Sequence, residues 1–100
     1  MESSLDRMVD AAVSTLLRIK DFTISPDMPG LNNAIKTKHF IMMAEAFKNQ
    51  QDLAHIGESI DKLYQYLDKP YILEVQIGCI ISNLLAIKRK ENILIKFSHN

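Results

Sequence analysis

The chain of 100 residues holds one cysteine, Cys79, so no disulfide can form within it and the disulfide-stapled class of small domains is excluded. Glycine and proline number three each, too few and too scattered for a phosphate-cradling loop or a strained nucleophile turn. Charge of one sign is missing as well. Twelve basic and twelve acidic residues cancel, which argues against a nucleic-acid coat or a polybasic membrane binder. Met1 to Ser4 carries no basic n-region, and Leu5 to Phe22 is broken by Asp6, Arg7, Asp10, Arg18 and Lys20. No export signal is therefore expected, and the cytoplasm is the expected compartment. Internal repeats and low-complexity tracts are absent too.

The stretch Pro70 to Lys90 is the most informative one present. A proline opens it, the thirteen residues from Val75 to Ile87 carry no charge, and Lys88-Arg89-Lys90 closes it. An apolar run before a basic triplet is the pattern of a stop-transfer segment, but a spanning helix needs about 20 apolar residues, and Glu74, Gln76, Ser82 and Asn83 interrupt this one. A buried core helix is the expectation, with no membrane partner.

One domain is expected from this length, built of helices at about 4–22, 31–48, 52–68 and 70–90. Ser3 or Ser4 can cap the first, where Asp6 meets the positive end of the dipole. Leu5, Met8, Val9, Ala12, Leu16 and Ile19 follow one buried stripe, opposed by Asp6, Asp10, Ser14 and Asp21. Two prolines and a glycine between Pro26 and Gly30 end that helix and form the one real linker. In the second helix, Phe40 to Phe47 is apolar on every side except at Glu45. Asp52 is the expected cap of the third helix, whose inner side is Leu53, Ile56, Ile60, Leu63, Tyr64 and Leu67. Pro70 ends this helix and starts the fourth. The rival is an α+β fold, because Tyr71 to Ile81 and Ile93 to Phe97 also alternate; the length of the run without a glycine or proline stop favours helix. The predicted class is all-α, a compact four-helix bundle-like domain.

Two segments apolar all round are one more than a small domain can surround. Each fully buried Leu, Ile, Phe or Met contributes about 1.5–3 kcal/mol, so the surplus predicts a second chain. Phe40, Met43 and Phe47 are the expected oligomer interface of a homodimer. Glu58, Asp61, Gln65, Tyr66 and Asp68 form the expected patch for another protein, an aromatic anchor inside a charged rim.

Chemistry is poorly represented. Asp52, His55 and Ser59 lie within about 60° of one another on a helical wheel, joined by Tyr66, yet nothing beside them offers an oxyanion hole. Their ordinary reading is a polar strip on a surface helix. His55 and Glu58 are one turn apart, but a carboxylate-bridged metal site needs more inward-facing acids than the chain places on its other helices. We expect no catalytic residue, no metal, no cofactor and no small-molecule substrate. Leu53 to Ser59 has a helix-turn-helix flavour, with Gly57 three residues after Ala54 instead of four and acids on the would-be recognition helix. Nucleic acid is the competing partner, through Lys36, Lys38, Lys88, Arg89 and Lys90; for the last three, favourable placement at a helix C-terminus is the simpler reading. From Asp52 to Glu74 five acids face two lysines, and from Lys88 onward four bases face Glu91, so the charge is segregated along the chain. The expected function is a non-enzymatic interaction protein of the inhibitor, immunity or regulator type, in size and class similar to small phage or plasmid proteins.

Overall fold

The computed structural model describes residues 4–24 and 38–98, and the side chains of 4–21 and 40–90. All its regular structure is helical: α1 (Ser4–Ile24), α2 (Lys38–Lys48), α3 (Ala54–Asp61) continued by a 3-10 helix (Lys62–Tyr66), and α4 (Pro70–Ser98). The described residues contain no strand, so Tyr71 to Ile81 and Ile93 to Phe97 belong to one unbroken helix. The residues predicted to begin the second helix, 31–37, lie outside those described.

Two helix pairs share one core. α2 packs most extensively on α3, and α1 on α4, while α4 also receives the 3-10 helix. Val9, Ala12, Leu16 and Ile19 from α1 meet Phe40, Ala44 and Phe47 from α2, Ile56, Ile60 and Leu63, and Leu73, Ile77, Ile80 and Leu84 from α4. The edge of Tyr64 meets the Phe40 ring, with centroids 5.6 Å apart and planes at 82°. Burial raises the Tyr64 hydroxyl pKa above its ordinary value. The 29 residues of α4 extend about 43 Å at 1.5 Å per residue, which sets the long axis of a 52 × 23 × 20 Å molecule.

Local details depart from the sequence reading in three places. Asp6 is buried at 6 % exposure, whereas Asp10, Ser14 and Asp21 lie on the exposed side of α1 as expected. Asp52 does not cap α3: the helix begins one residue later, behind Leu53, without a side-chain cap. The turn closes through its backbone instead, with Leu53 N–H donating to the Gln50 carbonyl at 3.0 Å. Gly57 lies inside α3, as the predicted helix over 52–68 and the off-pattern spacing implied, and not in the turn of a helix-turn-helix. Its role is close approach: a Cβ built there would stand 2.5 Å from the Lys48 amide nitrogen and 2.7 Å from the Ala44 carbonyl oxygen, so α3 lies directly on the α2 backbone. Lys48 then reaches Asp61, one turn further along α3, in an ion pair.

The third departure is the helix end at 62–66. Residues in a 3-10 helix advance about 120° each against about 100° in an α-helix. Over four residues, this adds about 80° and carries Tyr66 round to the side of Ile60 and Leu63. Tyr66 packs against the core as a partly buried residue, not at the centre of an exposed patch. The chain leaves through Lys69 N–H donating to the Tyr66 carbonyl at 2.9 Å, and Pro70 opens α4 as expected.

Candidate interaction surface

Among the described residues, large apolar side chains are exposed at Leu17 on α1, at Ile41 and Met42 on α2, and at Tyr71, Val75 and Leu85 on α4, where they form the longest row. Leu73, Ile77, Ile80 and Leu84 repeat at four-three-four spacing and point into the core. The opposite side carries Tyr71, Val75, Gly78, Ser82, Leu85 and Arg89, at four-three-four-three-four spacing, so a second continuous stripe runs down the outside of the helix. Tyr71 is 78 % exposed, Val75 49 % and Leu85 44 %. A Cβ at Gly78 would meet nothing within 4 Å. Cys79 is exposed on the flank of this stripe. Between Glu74 and Lys88 the face carries no charge. A shallow depression of about 370 Å³ opens near its C-terminal part, lined by Ser82, Leu85, Lys88 and Arg89.

The residues expected to form interfaces sit differently. Phe40 and Phe47 are fully buried and Met43 nearly so, all within the chain's own core. Their burial is intramolecular, because α1 and α3 cover them, and the large apolar side chains of α2 that face outward, among those described, are Ile41 and Met42. In the acidic patch, Glu58, Gln65 and Asp68 are exposed, Asp61 is paired with Lys48, and Tyr66 is drawn inward. The structure thus keeps the acidic rim and removes its aromatic anchor.

The basic triplet does not end a helix, since α4 continues to Ser98. Successive helical residues diverge by about 100°, so Lys88, Arg89 and Lys90 point in three directions. Lys88 donates to an Asp10 carboxylate oxygen on α1 at 2.6 Å, Arg89 lies on the outer stripe, and Lys90 borders a different groove. Lys38 is the first residue of α2, its side chain is not among those described, and Lys36 lies outside the described residues.

That groove, about 730 Å³ and open, runs between the turn at 50–53 and the middle of α4, with Asp52, His55, Asn83 and Lys90 at its rim and Leu5, Ile56 and Ile87 on its floor. Ser59 does not join it. Its hydroxyl donates to the His55 carbonyl at 2.8 Å, so it is held against its own helix and not on the imidazole. Among the described residues no group of three or more His, Cys, Asp or Glu side chains is arranged to hold a metal ion.

By length and composition Pro70–Lys90 is long and apolar enough to cross a membrane, with mean hydropathy 1.5 over its 18-residue window, of which 22 % is buried. Those buried positions are where α4 meets the rest of the core. The outer stripe was missed in the sequence because both sides of α4 are uncharged; a three-four repeat through Tyr71, Val75, Gly78 and Ser82 was the available signal. No protein-family model, curated protein or solved structure gives a significant match to this chain.

Proposed function

We propose that this protein is a non-enzymatic protein-interaction module, of inhibitor or regulator type, that binds through the outer face of α4. One observation carries the reading: one side of α4 is spent on the chain's own core, and the other leaves Tyr71, Val75 and Leu85 in water along a stretch with no charge between Val75 and Ile87. Exposed large apolar side chains in a continuous row mark interaction sites, whereas scattered ones do not. Their spacing suits a helix or a groove that reads one side of a helix. The divergence of Lys88, Arg89 and Lys90 favours this reading over nucleic-acid binding, which requires convergent cations.

The test is a Val75→Glu, Leu85→Glu double variant. Both residues face solvent, so helicity and thermal midpoint should stay within a few degrees of wild type. Proteins cross-linked to wild type in cells should be lost from the variant. An identical set of cross-linked proteins on both would refute the assignment of function to this face.

A further inference from the structure

We infer that the occupant of the outer α4 face is a second copy of this chain, paired antiparallel about the centre of the helix. The inference rests on the interaction reading above and adds partner, direction and register. The outer stripe is self-complementary when reversed. With the two-fold axis beside residue 80, Tyr71 lies opposite the partner's Arg89, Val75 opposite the partner's Leu85, and Gly78 opposite the partner's Ser82. Every outer position thereby finds a match, as an isologous interface requires.

Shape agrees with this register. Tyr71 is the most exposed large apolar side chain among the described residues, and the depression lined by Ser82, Leu85, Lys88 and Arg89 lies where the reversed helix would deliver it. A protruding side chain entering a hole of residues spaced three and four apart is the unit of helix pairing. The two smallest positions, Gly78 and Ser82, fall at the centre, where the axes must approach to about 8–10 Å, and Gly78 has open space beyond its Cα.

Charge selects the direction. Glu74 lies at one end of the stripe and Arg89 at the other. Antiparallel pairing brings Glu74 within one turn of the partner's Arg89, and also sets that guanidinium over the Tyr71 ring. Parallel pairing would set Arg89 against Arg89 and Glu74 against Glu74, an arrangement that interfaces avoid. From Tyr71 to Arg89 the contact is about 27 Å long. An interface of one helix face is at the small end of specific contacts, so a concentration-dependent dimer of micromolar or weaker affinity is expected.

Sedimentation equilibrium of the full chain, over a hundredfold range of concentration in detergent-free buffer, should show reversible monomer–dimer exchange. Tyr71→Ala and Arg89→Glu should each weaken the dimer about tenfold, and Glu74→Arg combined with Arg89→Glu should restore it. For the register, Val75→Cys and Leu85→Cys are each made in a Cys79→Ser background. Mild oxidation should cross-link the mixture of the two proteins and neither protein alone. Cross-linking of Val75→Cys with itself would overturn the antiparallel register. A strict monomer at every concentration would overturn the homodimer; the binding face would then stand or fall on the Val75→Glu, Leu85→Glu experiment. Binding of wild type, but not of that double variant, to phosphatidylcholine–phosphatidylglycerol vesicles without dimer formation would replace the second copy with a lipid surface.

Discussion

The same substitution, glycine to alanine, should have opposite effects at Gly57, packed between α3 and α2, and at Gly78 on the outer side of α4. At Gly57 the added methyl would stand 2.5 Å from the Lys48 amide nitrogen and 2.7 Å from the Ala44 carbonyl oxygen, both backbone atoms. Ordinary contact requires about 3.5 Å, so α3 would have to withdraw from α2 by roughly 1 Å, disturbing the most extensive helix pair of the fold. Overpacking of this kind costs typically about 1–3 kcal/mol, and a clash against backbone belongs at the upper end. Alanine returns about 1 kcal/mol of helix propensity, which leaves a net loss of about 2 kcal/mol. For a domain of this size that lowers the melting temperature by about 8–16 °C. At Gly78 the methyl meets nothing within 4 Å, so propensity acts alone and the gain is about 0.5–1 kcal/mol, or about 2–8 °C. Thermal unfolding followed by circular dichroism, at a concentration low enough to keep the chain monomeric, measures both. A Gly57→Ala variant as stable as wild type would refute the close approach of α3 to α2, and with it the seating of Ile56 and Ile60 in the core.

Three further outcomes follow from the packing. Tyr66→Ala should lower stability by about 1–3 kcal/mol in urea unfolding because the ring covers the core, and a change below about 0.5 kcal/mol would return Tyr66 to the surface. The Asp10–Lys88 pair is partly exposed, at 47 % and 32 % respectively, so Asp10→Asn should cost no more than about 1 kcal/mol, less in high salt; a salt-independent loss above 2 kcal/mol would contradict a screened surface pair. Because burial raises the Tyr64 pKa, the unfolded chain ionises this phenol first. Its contribution is intact below the unfolded value near 10 and is lost as pH rises through the folded value. Urea midpoints at pH 9 and pH 11 should therefore converge more closely in Tyr64→Phe than in wild type, and an unchanged gap would place Tyr64 in water.

Much of the fold was legible because its cues are local and agree with one another. The α1 stripe of Val9, Ala12, Leu16 and Ile19, the inner side of α3, and the opening of α4 at Pro70 are all read from spacing and one proline. The errors arise where spacing alone fixes no direction. Tyr66 is displaced by a 3-10 turn that adds about 20° per residue, and no pattern in Lys62 to Tyr66 announces it. Gly57 and Ala44 are small where two helices meet, a pairing that only the tertiary arrangement makes visible.

For an uncharged stretch of helix the ambiguity is of a different kind. Periodicity assigns a buried side by contrast with a polar one, and between Val75 and Ile87 there is no charge to supply contrast. Sequence alone assigns the apolar surplus to Phe40, Met43 and Phe47, since aromatic and methionine side chains look like the ones a partner would cover. The chain covers those itself. On α4 the core takes the branched and long aliphatics Leu73, Ile77, Ile80 and Leu84, and leaves outside a mixed row in which small residues separate large ones. A row of that composition fills no core of its own, and reversed on itself it would set Gly78 against Ser82 at the point where two helix axes cross. The order Tyr71, Val75, Gly78, Ser82, Leu85, with the two small residues together at the middle, suits the close approach of a facing helix, whereas solvent would place no requirement on the order of large and small.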